Sequence, residues 1–233
     1  MRRILTCFAV AAAAMALPAV AQTAPPADLL ARALRISPAV PAAAYAYDFH
    51  MQNSGDETGT VKGKFDPSRP EGDRVTIYEA KGEKADAMKI DKRMEKNADG
   101  DIWCDSVFAG ADGPVSDLGV QNGLRVVRFT PLPNERSGGM ERKVMKKVVA
   151  IARVDEATGL LKSMSVTLPQ PYKPEIFAKL ERLNMEITCA TAANGRPYVS
   201  RMETDMAGSA FGKTFSAVST QTITNLQQVK RAG

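Results

Sequence analysis

From residue 45 onward the chain alternates. Tyr45, Tyr47, Phe49 and Met51 stand between Ala46, Asp48, His50 and Gln52, and a period of two describes a strand with one buried face. Val61, Gly63 and Phe65 repeat the pattern after Asn53-Ser54-Gly55-Asp56, so the two runs predict a hairpin. A third run covers Arg74 to Glu79. In the second half, strands are predicted over 124–130, 148–154 and 160–168, with Asp155-Glu156-Ala157-Thr158-Gly159 as the turn between the last two. Met185, Ile187 and Cys189 alternate with Asn184, Glu186 and Thr188. Tyr198, Met202 and Met206 follow the Ala193–Pro197 turn, and 215–226 makes the final run.

Three stretches keep a helical spacing instead. Residues 28–36 place Leu29, Leu30, Ala33 and Leu34 on one side, with Pro38 and Pro41 beyond them. Residues 84–98 carry a narrow stripe of Ala87, Ile90 and Met94 in an otherwise charged segment, the pattern of a helix lying on a sheet's edge or mouth. A short basic helix is predicted over 140–147. Roughly nine strands joined by short turns predict a mainly β fold with a few helices: one curved antiparallel sheet, or half-open barrel, closed by those helices. Residues 45–230 then form one β-rich domain.

The first residues have a different pattern. Met1-Arg2-Arg3 precedes an alanine-rich apolar run from Ile4 to Leu17, and Ala19-Val20-Ala21 is a small-x-small cleavage pattern. This predicts a secretory signal peptide over 1–21, cut before Gln22, with 22–44 as a spacer that contains the short first helix. Cys7 precedes most of the apolar run and so does not fit a lipid anchor.

Composition sharpens this picture mainly by exclusion. The 233 residues are 44% hydrophobic, 24% charged and 6% aromatic, which excludes a disordered chain or a collagen repeat. No apolar run reaches the roughly 18 residues of a spanning helix. Removal of residues 1–21 takes two arginines with it and lowers the net charge from +5 to +3, too small an excess to argue for nucleic acid. It also leaves two cysteines, Cys104 and Cys189. An even pair in an exported chain predicts a disulfide, closing a loop worth on the order of 4 kcal/mol; two buried thiols are the alternative. Neither cysteine lies in a C-x-x-C arrangement.

Motifs for chemistry fail one by one. Residues 207–214 (Ala-Gly-Ser-Ala-Phe-Gly-Lys-Thr) fit a loose phosphate loop, but strand-like residues follow where a helix is required, so a glycine-rich hairpin turn is predicted. The chain's single histidine, His50, lies on the polar side of its strand with no nucleophile motif nearby. Asp99, Asp101 and Asp105 lack the spacing of a calcium loop and read as a solvated turn. No catalytic residue, cofactor or metal site is predicted. What stands out is softness: Met51, Met88, Met94, Met164, Met185, Met202 and Met206 are spread over apolar faces, and methionine adapts to flexible partners.

An exported chain with a short first helix, a long antiparallel series, a helix inserted after three strands and a D-x-x-T-G turn at Asp155–Gly159 resembles the periplasmic lipoprotein carriers of the LolA/LolB-like superfamily. Asp66-Pro67-Ser68-Arg69-Pro70 and the Gly208-centred loop also resemble exported bacterial proteins related to it. The resemblance covers residues 28 to 230. It implies a half-barrel whose apolar cavity holds acyl chains, a periplasmic location, and 84–98 as part of a lid. On that reading the ligand-facing candidates are Tyr47, Phe49, Met164, Met185, Met202 and Met206, and the partner is a lipid or lipoprotein acyl chain. The alternative is a non-catalytic envelope protein with a filled core.

Overall fold

A computed structural model describes residues 25–34, 44–56, 58–82, 102–134 and 137–230. The signal peptide expected over 1–21, most of the expected spacer, the helix expected over 84–98, Asp99 and Asp101 lie outside the described residues.

The fold is mainly β, antiparallel and open. After α1 (Pro26–Ala33) come β1 (Ala44–Gly55), β2 (Gly59–Phe65), β3 (Val75–Lys81), a short 3-10 turn (Cys104–Ser106), β4 (Gly110–Ala111), β5 (Ser116–Gln121), β6 (Leu124–Phe129) and β7 (Pro131–Leu132). Then follow α2 (Gly139–Met145), β8 (Val149–Val154), β9 (Leu161–Thr167), β10 (Tyr172–Glu175), β11 (Ala178–Thr191), β12 (Pro197–Ala210) and β13 (Lys213–Val229). One sheet of eleven strands runs β3-β2-β1-β13-β12-β11-β9-β8-β6-β5, with β10 on β11, and β4 pairs with β7 apart from it. The first long strand thus pairs with the last. The sheet is not closed into a barrel.

Pairing register decides which face is buried. Val61, Met51, Gln221, Met202, Ile187, Met164, Ala152 and Val127 are successive partners across eight strands. Paired residues share a face, so this row is apolar except at Gln221. At one end α1 lays Leu29, Leu30, Ala33 and Leu34 into a core with Val127, Val154, Met164 and Ile187. Pro26 begins this helix, Asp28 lies in its first turn and Arg32 in its last, the charge order that its dipole favours. At the other end Tyr45, Tyr47, Phe49, Val61, Phe65, Trp103 and Ile223 form a second cluster. The Tyr47 and Phe65 rings stack there at 5.2 Å.

The segment 102–106 is fastened across this second cluster. The Val199 amide donates to the Ile102 carbonyl at 2.7 Å, Trp103 bridges to Tyr198, and Cys104 is bonded to Cys189 with Cα atoms 6.3 Å apart. Asp105 accepts two charged hydrogen bonds from Arg196, at 2.9 Å from Nε and 2.8 Å from Nη2. The Arg196 guanidinium also lies 4.2 Å from the Trp103 ring centre. The expectation of a solvated turn at Asp105 is therefore corrected: its side chain is fully buried, and a buried carboxylate requires such a partner.

One glycine in this region is demanded by close approach. A Cβ on Gly63 would lie 2.4 Å from Phe49 Cζ and 2.5 Å from the Thr76 carbonyl oxygen. Gly63→Ala must displace either the ring or the β3 backbone, and is expected to lose about 1–3 kcal/mol. Urea titration checks this; an unchanged midpoint would show that the ring moves freely.

Candidate functional site

The site is built from two hairpin ends and one short helix. Between β12 and β13 the chain reverses through Phe211 and Gly212, with φ of 51° and 77°. Two left-handed residues in succession make the mirror-image turn that suits a twisted hairpin. The expectation of a hairpin turn over 207–214 agrees with this geometry, since strand, not helix, follows it. Phe211 is an unusual occupant of that conformation. Its amide donates to the Phe177 carbonyl at 2.8 Å, and its ring stacks on Phe177 with centroids 6.0 Å apart. Phe177 belongs to the neighbouring reversal between β10 and β11, which Ile176 shares. Cross-strand pairing of Ala178 with Ala210 holds the two reversals side by side.

Helix α2 closes the third side. Met140 and Val144 face the hairpins, and Lys143 pairs with Glu175 of β10. That hydrogen bond raises the lysine's pKa above its ordinary value and keeps the ammonium charged. The floor is Leu180 and Phe215. Gly208 lies opposite Phe215, where a Cβ would fall 2.8 Å from Phe215 Cζ and 2.3 Å from the Lys179 carbonyl oxygen. Only glycine lets that ring lie flat across the strand.

The result is an almost wholly apolar cavity of about 390 Å³. This size falls within the range of small-molecule sites, roughly 300–1,000 Å³. The charged groups on its wall are already engaged: Glu175 with Lys143, and Lys179 with Glu181 at 2.6 Å. Such a wall offers dispersion contacts and exclusion of water rather than acid–base work. Its rim is unusually apolar for a surface, with Ile176 89%, Phe211 83% and Phe177 66% exposed.

The residues singled out from sequence lie elsewhere. Tyr47 and Phe49 are buried in the second cluster and Met164 in the first. Met185, Met202 and Met206 are partly buried and pack against the first cluster. None of the six lines the cavity. His50 Nε2 lies 2.9 Å from Thr60 Oγ1, whose own proton goes to the Met51 carbonyl. Among the described residues no group of three or more histidine, cysteine or carboxylate side chains is placed to hold a metal ion. No described helix is long and apolar enough to cross a membrane.

No protein-family model matches the chain, and neither does any curated protein. Among solved structures there is a similarity to a LolA superfamily protein from Nitrosomonas europaea. It is 10% identical, spans 89% of this chain and 95% of that one, and has a TM-score of 0.35.

Proposed function

We propose that this chain is an exported, non-catalytic binding or carrier protein that takes a lipid-like ligand, such as a lipid or lipoprotein acyl chain, in the cavity beside α2. On this reading residues 1–21 direct export to the periplasm and are removed near Ala21, and residues 45–230 act as one unit. The observation that carries the proposal is the lining: Met140, Val144, Leu180, Phe211 and Phe215 surround a space whose charged neighbours are paired with one another. A flexible hydrocarbon gains contact there at no cost in unsatisfied polar groups.

The test is displacement of an environment-sensitive naphthylamine fluorophore by palmitate or phospholipid. Wild type is expected to bind the fluorophore saturably and release it to the lipid. Ala178→Phe, which places a ring inside the cavity, is expected to weaken binding about tenfold, an amount set by loss of one well-packed apolar contact. Absence of saturable binding by wild type, or equal binding by the variant, would overturn the proposal.

A second reading is an envelope protein with a filled core and no ligand. Complete burial of Tyr47, Phe65 and Met164 favours it, because both clusters on the sheet are packed rather than hollow. It predicts no fluorophore binding together with a specific protein cross-link.

A further inference from the structure

The apolar rim of the cavity is also its most prominent surface feature. Ile176, Phe177 and Phe211 project at the tips of two adjacent reversals, and the exposed Met140 of α2 stands beside them. Clustered exposed aromatics on a soluble fold mark a contact surface. Their stacking and the Phe211–Phe177 main-chain hydrogen bond make the tip a preformed wedge.

Charge around the wedge selects its partner. Lys213 follows the Phe211–Gly212 turn, Lys173 lies on β10, Lys143 lies on α2 and Lys146 directly after it, all of them exposed. Among the described residues Lys146, Lys173 and Lys213 have no anionic partner. Of the acids at this end, Glu175 and Glu181 are taken up by Lys143 and Lys179; Glu141 accepts from the Ser137 hydroxyl at 3.0 Å and Asp56 from the Ser216 amide at 2.7 Å, which leaves three unpaired lysines against two acids. The tip therefore presents apolar rings inside a fringe of unbalanced cations. This combination matches an anionic bilayer surface, where the rings enter the acyl boundary and the ammonium groups meet headgroup phosphates.

We infer that the Phe177–Phe211 tip docks on anionic lipid bilayers, so that the cavity mouth opens at the membrane surface. The inference deepens the lipid-binding proposal by naming where the ligand enters and leaves, and it rests on that reading only for the identity of the cargo.

Co-sedimentation of the mature chain with vesicles tests it. One set contains phosphatidylglycerol with phosphatidylethanolamine, the other phosphatidylcholine alone. Wild type is expected to partition onto the anionic set at least tenfold more strongly, and less so at high salt. Phe177→Ser combined with Phe211→Asn removes both rings while leaving a residue that tolerates the left-handed turn; partition is expected to fall about tenfold or more. Lys173→Glu with Lys213→Glu is expected to abolish the preference for anionic vesicles, since each lysine near such a surface contributes roughly fivefold. That charge variant should retain fluorophore binding, because neither lysine lines the cavity. Equal binding to both vesicle sets, no binding by wild type, or unchanged binding by the ring variant would overturn the docking proposal. So would concentration-dependent self-association through the same rings without vesicle binding, which would assign the tip to a second copy of the chain. Fluorophore titration of the same wild-type sample reports on the cavity independently, so that failure of one proposal is distinguishable from failure of the other.

Discussion

Arg196→Ala is expected to destabilise the protein by about 3–5 kcal/mol, the cost of leaving a buried carboxylate without its cation. Asp105 has a fully buried side chain and depends on Arg196 for its charged hydrogen bonds. Lysine should not substitute well. It can neither fork onto both carboxylate oxygens nor stack its charge plane on Trp103, so Arg196→Lys is expected to recover less than half of the loss. Arg196→Met with Asp105→Leu removes both charges and should lie nearer to wild type than either single change. Urea denaturation of the five variants decides the matter. A loss below about 1 kcal/mol for Arg196→Ala would place the pair among surface salt bridges, and the account of the 102–106 segment would be wrong.

Replacement of Cys104 and Cys189 together by alanine is the second large effect. The bond spans a sequence separation of 85 residues, and in the chain-entropy account a loop of that length stabilises by about 4.5 kcal/mol, less any relief in the native state. Both the bond and the Arg196–Asp105 pair fasten residues 102–106 to the β11–β12 hairpin, so their effects should not be additive. Once the covalent tie is absent, the arginine closes a longer and more mobile segment. A triple variant with Arg196→Ala is therefore expected to deviate from the summed losses by more than about 0.5 kcal/mol. Exact additivity, or a reductant-insensitive wild-type midpoint, would mean that the two fastenings do not act on one segment.

Sequence made the strands legible wherever one face is buried and the other wet. β8 and the middle of β11 alternate cleanly, and the D-x-x-T-G turn falls where Asp155 accepts amide hydrogen bonds from Ala157 and Thr158 at 3.0 Å. β5 was missed because Leu118 and Val120, its apolar residues, are exposed at the sheet's edge, so no burial period was imposed on it. Asp105 was misjudged for a different reason. Nothing near it in the chain announces burial; its partner lies 91 residues away, a distance over which local pattern is blind. Met51, Met164, Met185, Met202 and Met206 pointed to an apolar lining but lie in or against the packed core. The readable signal for the cavity was elsewhere: Ile176, Phe177 and Phe211 are large apolar residues at reversals, where polar and small ones are the rule.

Pairing of β1 with β13 has a consequence for how this molecule must assemble. The strands flanking the seam are separated by almost the whole described chain, with Ala44 opposite Val229 and Gly55 opposite Ala217. On the β12 side every pairing joins strands near in sequence, with only β7 and α2 or β10 skipped, and β1 to β3 can form their own. The two halves meet only when β13 arrives. In synthesis from the N-terminus, the strand that joins them is made after the other strands of the sheet. Until then β1 waits with an open edge of unpaired amides and carbonyls, the state most open to mispairing with another chain. The slow and vulnerable step of maturation is thus the closing of a seam in the middle of the sheet, and the interval before it is when a chaperone would matter most.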